Sequence, residues 1–359
     1  MVTLKEIAKE CNVSATTVSN ILNGKPKVSE ATRQKVLQVV KKRGYQPNYV
    51  AQGLRNQRTR TIAVIAEDIG QFTTPGIIES VMARFETEGY HTIVWNLRLY
   101  ARWNESWYNN EQAYRSILNP VLQELRSIKV EGVLYIAGHA RKIHCTSQDY
   151  EVPMVMAYAY PDLQTIPSVT IDEEKSAYKM VKYLLNMGHT KIGFIGGRAD
   201  NIHTQKRLIG AQRAMFESYV PYNPEWVRYG DWYRKSGYTA AAPLVQAGVT
   251  AIFCMADRMA GGVYDYLEEK GLKAGEDVSV TGFDNQDLSE YFRPALTTMD
   301  LPLQEIGDKA SLLLLERLRD GQTEETSQPV SLSIPCTLVE RKSVKRLEPG
   351  SSLQPDELR

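Results

Sequence analysis

With 359 residues, 43% of them hydrophobic and 24% charged, the chain has the composition of a globular protein and is too long for one ordinary core. No apolar run approaches the roughly 18–20 residues of a membrane span, and the charged N-terminal segment does not fit a signal peptide. Four widely spaced cysteines without a C-x-x-C pattern indicate free thiols in a reducing compartment. These features predict a cytoplasmic protein with no membrane partner.

Charge is divided unequally along the chain. Residues 1–60 carry 12 Lys+Arg against 3 Asp+Glu, a balance of +9, whereas residues 61–359 carry 31 against 39, a balance of −8. A basic module on an acidic body is expected when only one end of a protein meets the phosphates of a nucleic acid. The sequence therefore predicts a nucleic-acid-binding segment at the N-terminus.

Three short helices are predicted in this basic segment. Thr3 and Glu6 have the spacing of a capping box that begins the first helix, and Asn12 suits the left-handed turn that ends it. Ser14 is placed to cap a second helix, and a third lies within 29–44. The outward face of the second helix near its start carries Ala15, Thr16, Ser19 and Asn20. Such a helix suits end-on insertion into a DNA major groove; the alternative is a generic three-helix domain with a solvated basic face.

The first 54 residues resemble the lactose-repressor/galactose-repressor family of bacterial transcription regulators. The matching words are V-T-L-K-E-I-A, N-V-S-x-x-T-V-S-N-I-L-N, V-S-E-A-T-R-Q-K-V and G-Y-Q-P-N-Y-V-A-Q-G-L. The resemblance implies that the second helix reads bases, with base-reading positions at Ala15, Thr16 and Asn20 and phosphate contacts at Thr17 and Ser19.

The same resemblance implies a hinge helix within 47–60 that forms only on DNA. Leu54 occupies the position of a leucine wedged into the minor groove, and Asn48 and Ala51 are further predicted DNA contacts. Gly53 lowers helix propensity by about 1 kcal/mol, which favours an unfolded hinge away from DNA. The alternative for Leu54 is an ordinary packing residue between domains.

From Thr61 onward, predicted strands alternate with amphipathic helices. This alternation indicates parallel sheets covered on both faces, and the length suits two lobes with a ligand cleft at the facing strand ends. Residues 62 to about 344 resemble the periplasmic-binding-protein-like effector domain of the same family, in words such as K-I-G-F-I-G-G, A-I-F-C-M-A-D and G-E-D-V-S-V-T-G-F-D-N. The predicted fold class is a small all-α helix-turn-helix domain plus an α/β two-lobed effector domain.

The resemblance also sets the predicted boundaries. They are 1–46 for the DNA-binding domain, 47–60 for the hinge, 61–345 for the effector-binding and dimerisation domain, and 346–359 for a disordered tail. Within the effector domain, lobe 1 is predicted at about 62–160 and 290–325, and lobe 2 at about 161–289 and 326–345.

Seven side chains match family positions that line the cleft: Thr74, Asn201, Arg207, Trp232, Phe253, Asp257 and Asp284. By this resemblance, Arg207 forks onto the effector, Trp232 stacks on it, and Asp284 accepts its hydrogen bonds. This trio suits a sugar ring, whose faces are apolar and whose rim carries hydroxyls, so the predicted small-molecule effector is a carbohydrate. The alternatives are a core role for Trp232 and an interlobe salt bridge for Arg207 or Asp284.

Segment 96–112 departs from the family, because it makes a longer connection that is rich in aromatic residues and arginines. Three structures are open for it: a lid over the cleft, part of a dimer contact, or an ordered surface loop that packs its own aromatics.

Patterns of other protein classes are missing from the sequence. The five histidines are scattered, and no H-E-x-x-H, G-x-S-x-G, P-loop or dinucleotide fingerprint occurs, so no catalytic residue, metal or cofactor is predicted. The basic N-terminus disfavours a secreted sugar-binding protein, and the large body disfavours an architectural DNA protein. Helix-turn-helix regulators bind double-stranded palindromic operator DNA as two-fold dimers. The proline-containing tail lacks the leucine heptad that tetrameric relatives carry, so a homodimer is predicted.

Overall fold

The computed structural model describes residues 2–22, 28–45, 59–104, 110–139, 141–144, 152–162, 165–320 and 331–348. The chain divides into two compact units, residues 1–60 and residues 61–359. Among the described helices, none combines the length and the apolar character that a membrane crossing requires.

The first unit contains α1 (Leu4–Cys11), α2 (Ala15–Leu22) and α3 (Glu30–Arg43). The predicted capping box is confirmed, because Thr3 and Glu6 exchange hydrogen bonds at the start of α1. Asn12 ends this helix in the left-handed region, with φ of 59°, as its short polar side chain allows. The backbone N–H of Thr17 then donates to Ser14 Oγ at 3.0 Å, which confirms Ser14 as the cap of α2.

The third helix closes a small core. Ser29 caps α3, and Gly44 ends it with φ of 59°, a conformation that favours glycine. The fully or nearly fully buried side chains shared by the three helices are Ile7, Ala8, Cys11, Val18, Ile21 and Val36. Burial of these side chains is what holds such short helices together, since isolated helices of this length are marginal in water.

The second unit alternates strands and helices throughout. In chain order it contains β1 (Thr61–Ala66), α4 (Thr73–Thr87), β2 (His91–Asn96), α5 (Leu99–Trp103), α6 (Glu111–Ile128), β3 (Gly132–Ile136), β4 (Lys142–Ile143), β5 (Met154–Ala157), β6 (Tyr160–Pro161), β7 (Ser168–Ile171), α7 (Glu173–Asn186), β8 (Ile192–Gly196), α8 (Ile202–Glu217), a 3₁₀ turn (Pro224–Trp226), β9 (Val227–Tyr229), α9 (Arg234–Gln246), β10 (Ala251–Cys254), α10 (Asp257–Glu269), β11 (Ser279–Thr281), α11 (Leu288–Tyr291), β12 (Thr298–Asp300), α12 (Leu303–Asp320), β13 (Ser331–Ile334) and β14 (Thr337–Val339).

Two parallel sheets define the two lobes of this unit. Lobe 1 is built on the six-stranded sheet β13-β7-β5-β3-β1-β2, and lobe 2 on the four-stranded sheet β11-β10-β8-β9. Helices α4 and α12 pack together on lobe 1, whereas α7 packs on α8 and α9 on α10 in lobe 2. The chain crosses between lobes after β7, after β12 and after β13, and β12 pairs with β14 in an antiparallel ladder.

The lobe boundaries differ from the prediction at two strands. Both β7 and β13 fall in ranges predicted for lobe 2, 161–289 and 326–345, yet they form the outer part of the lobe 1 sheet. Strand β7 is buried along its whole length and pairs with β5 on one side and β13 on the other. The first crossover therefore follows β7, where the N–H of Asp172 donates to Ile334 O at 2.8 Å.

Segment 96–112 forms α5 and the start of α6, apart from residues 105–109, which lie outside the described residues. Leu97 and Leu99 are buried in the lobe 1 core, and Tyr100 and Trp103 pack against it. The described part of this segment therefore packs its own apolar side chains on lobe 1, as in the ordered-loop alternative.

The predicted hinge and tail fall mostly outside the described residues. In the hinge, 47–60, only residues 59–60 are described, and in the tail only 346–348. Those tail residues lie against the end of α7, where the N–H of Leu347 donates to Met187 O at 2.8 Å.

Candidate functional site

The face of α2 predicted to read DNA remains accessible to solvent. Thr16 is exposed, and Ala15, Ser19 and Asn20 are half-buried, whereas the opposite face of α2 contributes to the core of the first unit. Thr17 is half-buried, and its hydroxyl lies 2.9 Å from Ser14 Oγ at the cap. The other predicted DNA contacts, Asn48, Ala51 and Leu54, lie outside the described residues.

A cleft separates the two lobes of the second unit and leaves a space of about 60 Å³ for water. Lobe 1 contributes residues from the ends of its strands and the start of α4, namely Gln71, Phe72, His139 and Tyr158. Lobe 2 contributes the larger set: His203, Arg207, Asp231, Trp232, Tyr233, Met255, Ala256, Arg258, Asp284 and Gln286. The cleft thus lies outside the carboxyl ends of both sheets, where α/β proteins bind ligands.

Arg207 is held from behind by a buried carboxylate. Its Nε donates to Glu173 Oε2 at 2.6 Å, and its Nη1 donates to Met255 O at 2.6 Å. Glu173 Oε1 lies 2.6 Å from Nδ1 of His203, one turn before Arg207 on α8. These bonds use two of the five N–H donors of the guanidinium and fix the orientation of Arg207 where it lines the cleft.

This buried cluster shifts the protonation of its members. Burial alone would raise the pKa of Glu173, but the positive charge of Arg207 and the hydrogen bonds with His203 and Arg207 lower it to about 2. Across the cleft, burial lowers the pKa of His139 to about 3, and the neighbouring charges of His203, Arg207 and Arg258 act in the same direction. His139 is therefore a neutral imidazole at neutral pH, able both to donate and to accept a hydrogen bond.

Trp232 reaches the cleft in a left-handed backbone conformation, with φ of 72°. Its ring lies against the backbone of Gly197, where a Cβ atom would come within 2.0 Å of the indole. Arg207 Cζ lies 5.9 Å from the Trp232 ring and 3.6 Å from the Phe283 ring. Because Gly197 has no side chain, it leaves room for the indole of Trp232 beside Arg207.

Asp284 lies on the loop after β11, also with a positive φ, 117°. Its N–H donates to Met299 O at 2.9 Å, and its Oδ2 accepts from Gln286 Nε2 at 3.1 Å. Burial and the charge of Asp257 raise the pKa of Asp284 well above its ordinary value. Arg207, Trp232 and Asp284 therefore meet in one cleft, as the sequence predicts, although their binding of an effector stays a prediction.

Four other predicted effector residues do not line the cleft. Phe253 is buried in the strand interior of β10 between Phe194 and Phe283, so it belongs to the core. Thr74 is buried in the first turn of α4. Asn201 caps α8 by accepting the N–H of His203 at 2.8 Å.

Asp257 is the fourth predicted effector residue that does not line the cleft. It is fully buried and points away from the cleft, toward the backbone of Gln286 and the hydroxyl of Thr298. The resemblance to the family predicted a ligand contact for Asp257, but its side chain lies behind the cleft wall, against Gln286 N–H and the Thr298 hydroxyl.

Several cleft residues were missed by the sequence prediction. His203 precedes Arg207 by four residues, so the i, i+4 spacing on one helix face could have indicated it. His139 follows β3 at the carboxyl edge of the sheet, which is a weaker signal of the same kind. Nothing in the sequence indicated Glu173 as the partner of both His203 and Arg207. Within the described residues, no group of three or more His, Cys, Asp or Glu side chains is arranged to hold a metal ion.

A helix-turn-helix unit in the same chain as a two-lobed body with an interlobe cleft defines the class of ligand-responsive DNA-binding regulators. The family model for bacterial regulatory proteins of the lacI family matches residues 3–48, and the model for the periplasmic binding protein-like domain matches residues 181–344. The catabolite control protein A of Priestia megaterium is 32% identical over 96% of this chain and 99% of its own length. The chain therefore belongs to the lacI family of bacterial regulatory proteins.

Further comparisons agree with this assignment. The HTH-type transcriptional repressor PurR of Vibrio parahaemolyticus is 30% identical over 97% of this chain and 100% of its own length. A lac repressor dimer bound to operator and an anti-inducer has the same fold, with a TM-score of 0.77 at 24% identity over 96% of this chain and 99% of that chain. The transcriptional regulator CelR, solved as a cellobiose complex, has a TM-score of 0.63 at 26% identity over 96% of this chain and 100% of that chain.

Proposed function

We propose that the protein is a transcriptional repressor that binds palindromic operator DNA as a homodimer and is controlled by a carbohydrate in the interlobe cleft. The observation that carries the effector assignment is the meeting of Arg207, Trp232 and Asp284 in that cleft. An indole face matches the apolar face of a sugar ring, while the guanidinium and the carboxyl match its hydroxyl rim.

The opposite wall supports the same ligand class. Phe72 and Tyr158 add aromatic surface from lobe 1, and His139 and Gln71 add groups that can exchange hydrogen bonds with hydroxyls. A ring held between two such walls contacts both lobes at once. The transcriptional regulator CelR, which has the same fold, was solved as a complex with the sugar cellobiose.

Control of DNA binding follows from contact with both lobes. A ligand shifts the equilibrium between two conformations of a protein only if it binds them with unequal affinity. A ligand that contacts both lobes favours the conformation in which the angle between the lobes allows both contacts. Strand β1 of lobe 1 directly follows the hinge segment 47–60. A change in the angle between the lobes would therefore move the hinge segments of a dimer, and with them the DNA-binding units. Coupling of this kind is typically about 1–3 kcal/mol, which changes operator affinity by roughly 5- to 150-fold.

The test uses the full chain and duplexes enriched from a random palindromic pool. Operator affinity is measured by fluorescence anisotropy with and without D-glucose, D-ribose, cellobiose and glucose 6-phosphate, and with purine bases as a competing class. Thr16→Ala should change the preferred bases more than the affinity for random DNA, because base contacts carry specificity and phosphate contacts carry affinity. A response to purine bases alone would overturn the carbohydrate assignment.

A matched pair of glycine variants tests the cleft. In Gly197→Ala the new Cβ displaces Trp232, so sugar affinity should fall by at least about tenfold, or about 1.4 kcal/mol. In Gly76→Ala, on α4, the new Cβ meets Leu303 at an ordinary 3.4 Å, and sugar affinity should stay at the wild-type value. Both variants should keep the operator affinity measured without sugar. Equal sugar affinities in the two variants would contradict the role of Trp232.

A further inference from the structure

The buried carboxyl of Asp257 joins three separate segments around the cleft. Asp257 is the first residue of α10, and its own N–H donates to Phe283 O at 2.8 Å. Its Oδ2 accepts the backbone N–H of Gln286 at 2.8 Å, and its Oδ1 accepts the hydroxyl of Thr298 at 2.6 Å. One fully buried side chain therefore connects the start of α10, the loop after β11 and strand β12.

The loop held in this way carries two side chains that line the cleft. Asp284 and Gln286 both face the space between the lobes, and they are bonded to each other at 3.1 Å. The backbone between them is unusual, because Asp284 has φ of 117° and Asn285 φ of 52°. Asparagine tolerates the left-handed value at Asn285, but a non-glycine residue adopts a φ of 117°, as at Asp284, only where the surrounding contacts determine it. The bond from Gln286 N–H to Asp257 is one of those contacts.

The other end of the connection is the strand at which the chain crosses between lobes. Thr298 belongs to β12, and its hydroxyl also accepts the N–H of Asn285 at 3.4 Å. Asn285 Nδ2 in turn donates to Asp300 Oδ1 at 2.9 Å. The cleft loop and the crossover strand are thus bonded to each other both directly and through Asp257.

We propose that Asp257 is a positioning residue for the effector: it holds loop 284–286 on strand β12 so that Asp284 and Gln286 face the cleft. This inference rests on the proposed function in one respect, that the effector occupies this cleft. A carboxylate suits the task because it accepts from a backbone N–H and a hydroxyl at the same time, without donating. An amide at this position can accept the bond from Gln286 N–H, but the Thr298 hydroxyl then has to turn and accept from the amide NH2.

A matched pair of threonine variants separates positioning from stability. Thr298→Val removes the hydroxyl that bonds Asp257, at nearly constant volume. Thr281→Val is the control, because Thr281 is equally buried on β11 and its hydroxyl has no hydrogen-bond partner among the described residues. Asp257→Asn is the third variant. All three are made in the full chain, and none of the three residues lines the cleft.

Two measurements follow for each variant. Titration with D-glucose, D-ribose, cellobiose and glucose 6-phosphate gives sugar affinity, and hydrogen exchange of the peptide spanning 284–286 reports the loop without any ligand. Thr298→Val should lower the affinity for the sugars that bind the wild type by about tenfold and speed exchange in the loop, and Asp257→Asn should change both in the same direction but by less. Thr281→Val should leave both at wild-type values.

The outcomes distinguish the two proposals. If Thr298→Val and Asp257→Asn lower the thermal midpoint but keep wild-type sugar affinity and loop exchange, Asp257 is only a structural residue and the positioning role is overturned. If none of the sugars binds the wild type, the carbohydrate assignment fails, and loop exchange alone decides whether Asp257 holds loop 284–286.

Discussion

Two buried carboxyl groups lie behind the cleft, Glu67 in lobe 1 and Asp257 in lobe 2, and their hydrogen-bond partners differ in charge. In lobe 1, Glu67 accepts from Arg141 Nη2 at 2.7 Å, from the Tyr135 hydroxyl at 2.8 Å and from the N–H of Gly138 at 3.0 Å, next to His139. In lobe 2, the described hydrogen-bond donors of Asp257 are neutral. Glu67 is therefore held by an ion pair and Asp257 by dipoles, although lobe 2 also contains the buried ion pair of Glu173 with Arg207.

The protonation of the two sites differs accordingly. Burial would lower the pKa of Arg141, but the charge of Glu67 raises it above its ordinary value, so the guanidinium stays charged. Burial raises the pKa of Asp257 to about 7, and the bonds from Thr298 and Gln286 offset only part of that effect. The Glu67 site should therefore lose stability when Arg141 is removed, whereas the Asp257 site should lose stability when the pH rises.

The largest expected effect is the loss of the cation in lobe 1. Arg141→Met leaves Glu67 buried without its counter-charge, and breaking a buried pair in this way costs about 3–5 kcal/mol of unfolding free energy. Urea denaturation of the full chain measures it. Arg213→Met is the control, because the Arg213–Glu217 pair lies on the surface and its removal should change little. Equal denaturation midpoints for the two variants would show that Glu67 does not depend on Arg141.

A smaller, pH-dependent effect is expected in lobe 2. The carboxyl of Asp257 has a pKa of about 7 in the folded protein and about 3.9 in an unfolded chain. Between these values the folded state binds more protons than the unfolded state, so this group's contribution to stability falls as pH rises. Asp257→Asn removes that dependence, by at most about 1.4 kcal/mol per pH unit.

Urea denaturation of wild type and Asp257→Asn at pH 5, 6 and 7 measures the difference. The buried histidines His139 and His189, whose pKa values are lowered by burial, are present in both proteins. Asp284 is also present in both, but loss of the Asp257 charge lowers its raised pKa, which acts in the same direction as the loss of Asp257 itself. The variant should gain relative to the wild type as pH rises. A constant difference across this range would mean that Asp257 does not titrate there.

The smallest expected effect is the loss of one neutral hydrogen bond in lobe 1. The hydroxyl of Tyr114 donates to the hydroxyl of Tyr135 at 3.0 Å, so Tyr114→Phe should cost about 1 kcal/mol of unfolding free energy. Tyr135→Phe should cost more, about 1.5–3 kcal/mol, because that hydroxyl donates to the charged Glu67. Denaturation midpoints in the reverse order would contradict the charge assigned to Glu67.

The first unit could be predicted from the sequence in detail because its signals are local. The capping box of Thr3 and Glu6, the cap at Ser14 and the left-handed Asn12 depend on residues a few positions apart. The lobe boundary could not be predicted in this way. Strands β7 and β13 pair across more than 150 residues, and a short apolar run does not reveal which sheet it joins.

The sequence predicted that the site lies at the strand ends, but it did not predict which of the side chains there face the cleft. Arg207, Trp232 and Asp284 line the cleft as predicted, whereas Phe253 and Asp257 lie beside the same strand end and point elsewhere. Neighbouring residues of a strand point to opposite sides, so proximity in sequence does not select the one that faces a ligand. Glu173 was missed because its role appears only when α7 and α8 pack together.

The small volume of the cleft has a kinetic consequence. A space of about 60 Å³ holds only a few waters, since one water needs about 10–15 Å³ by the same measure. In the proposed function a sugar ring touches the walls of both lobes at once, so the lobes must part before the ring can enter between them. Association then requires two successive events, opening and capture, and only capture accelerates as the sugar concentration rises. At high concentration the observed rate therefore levels off at the frequency with which the lobes part.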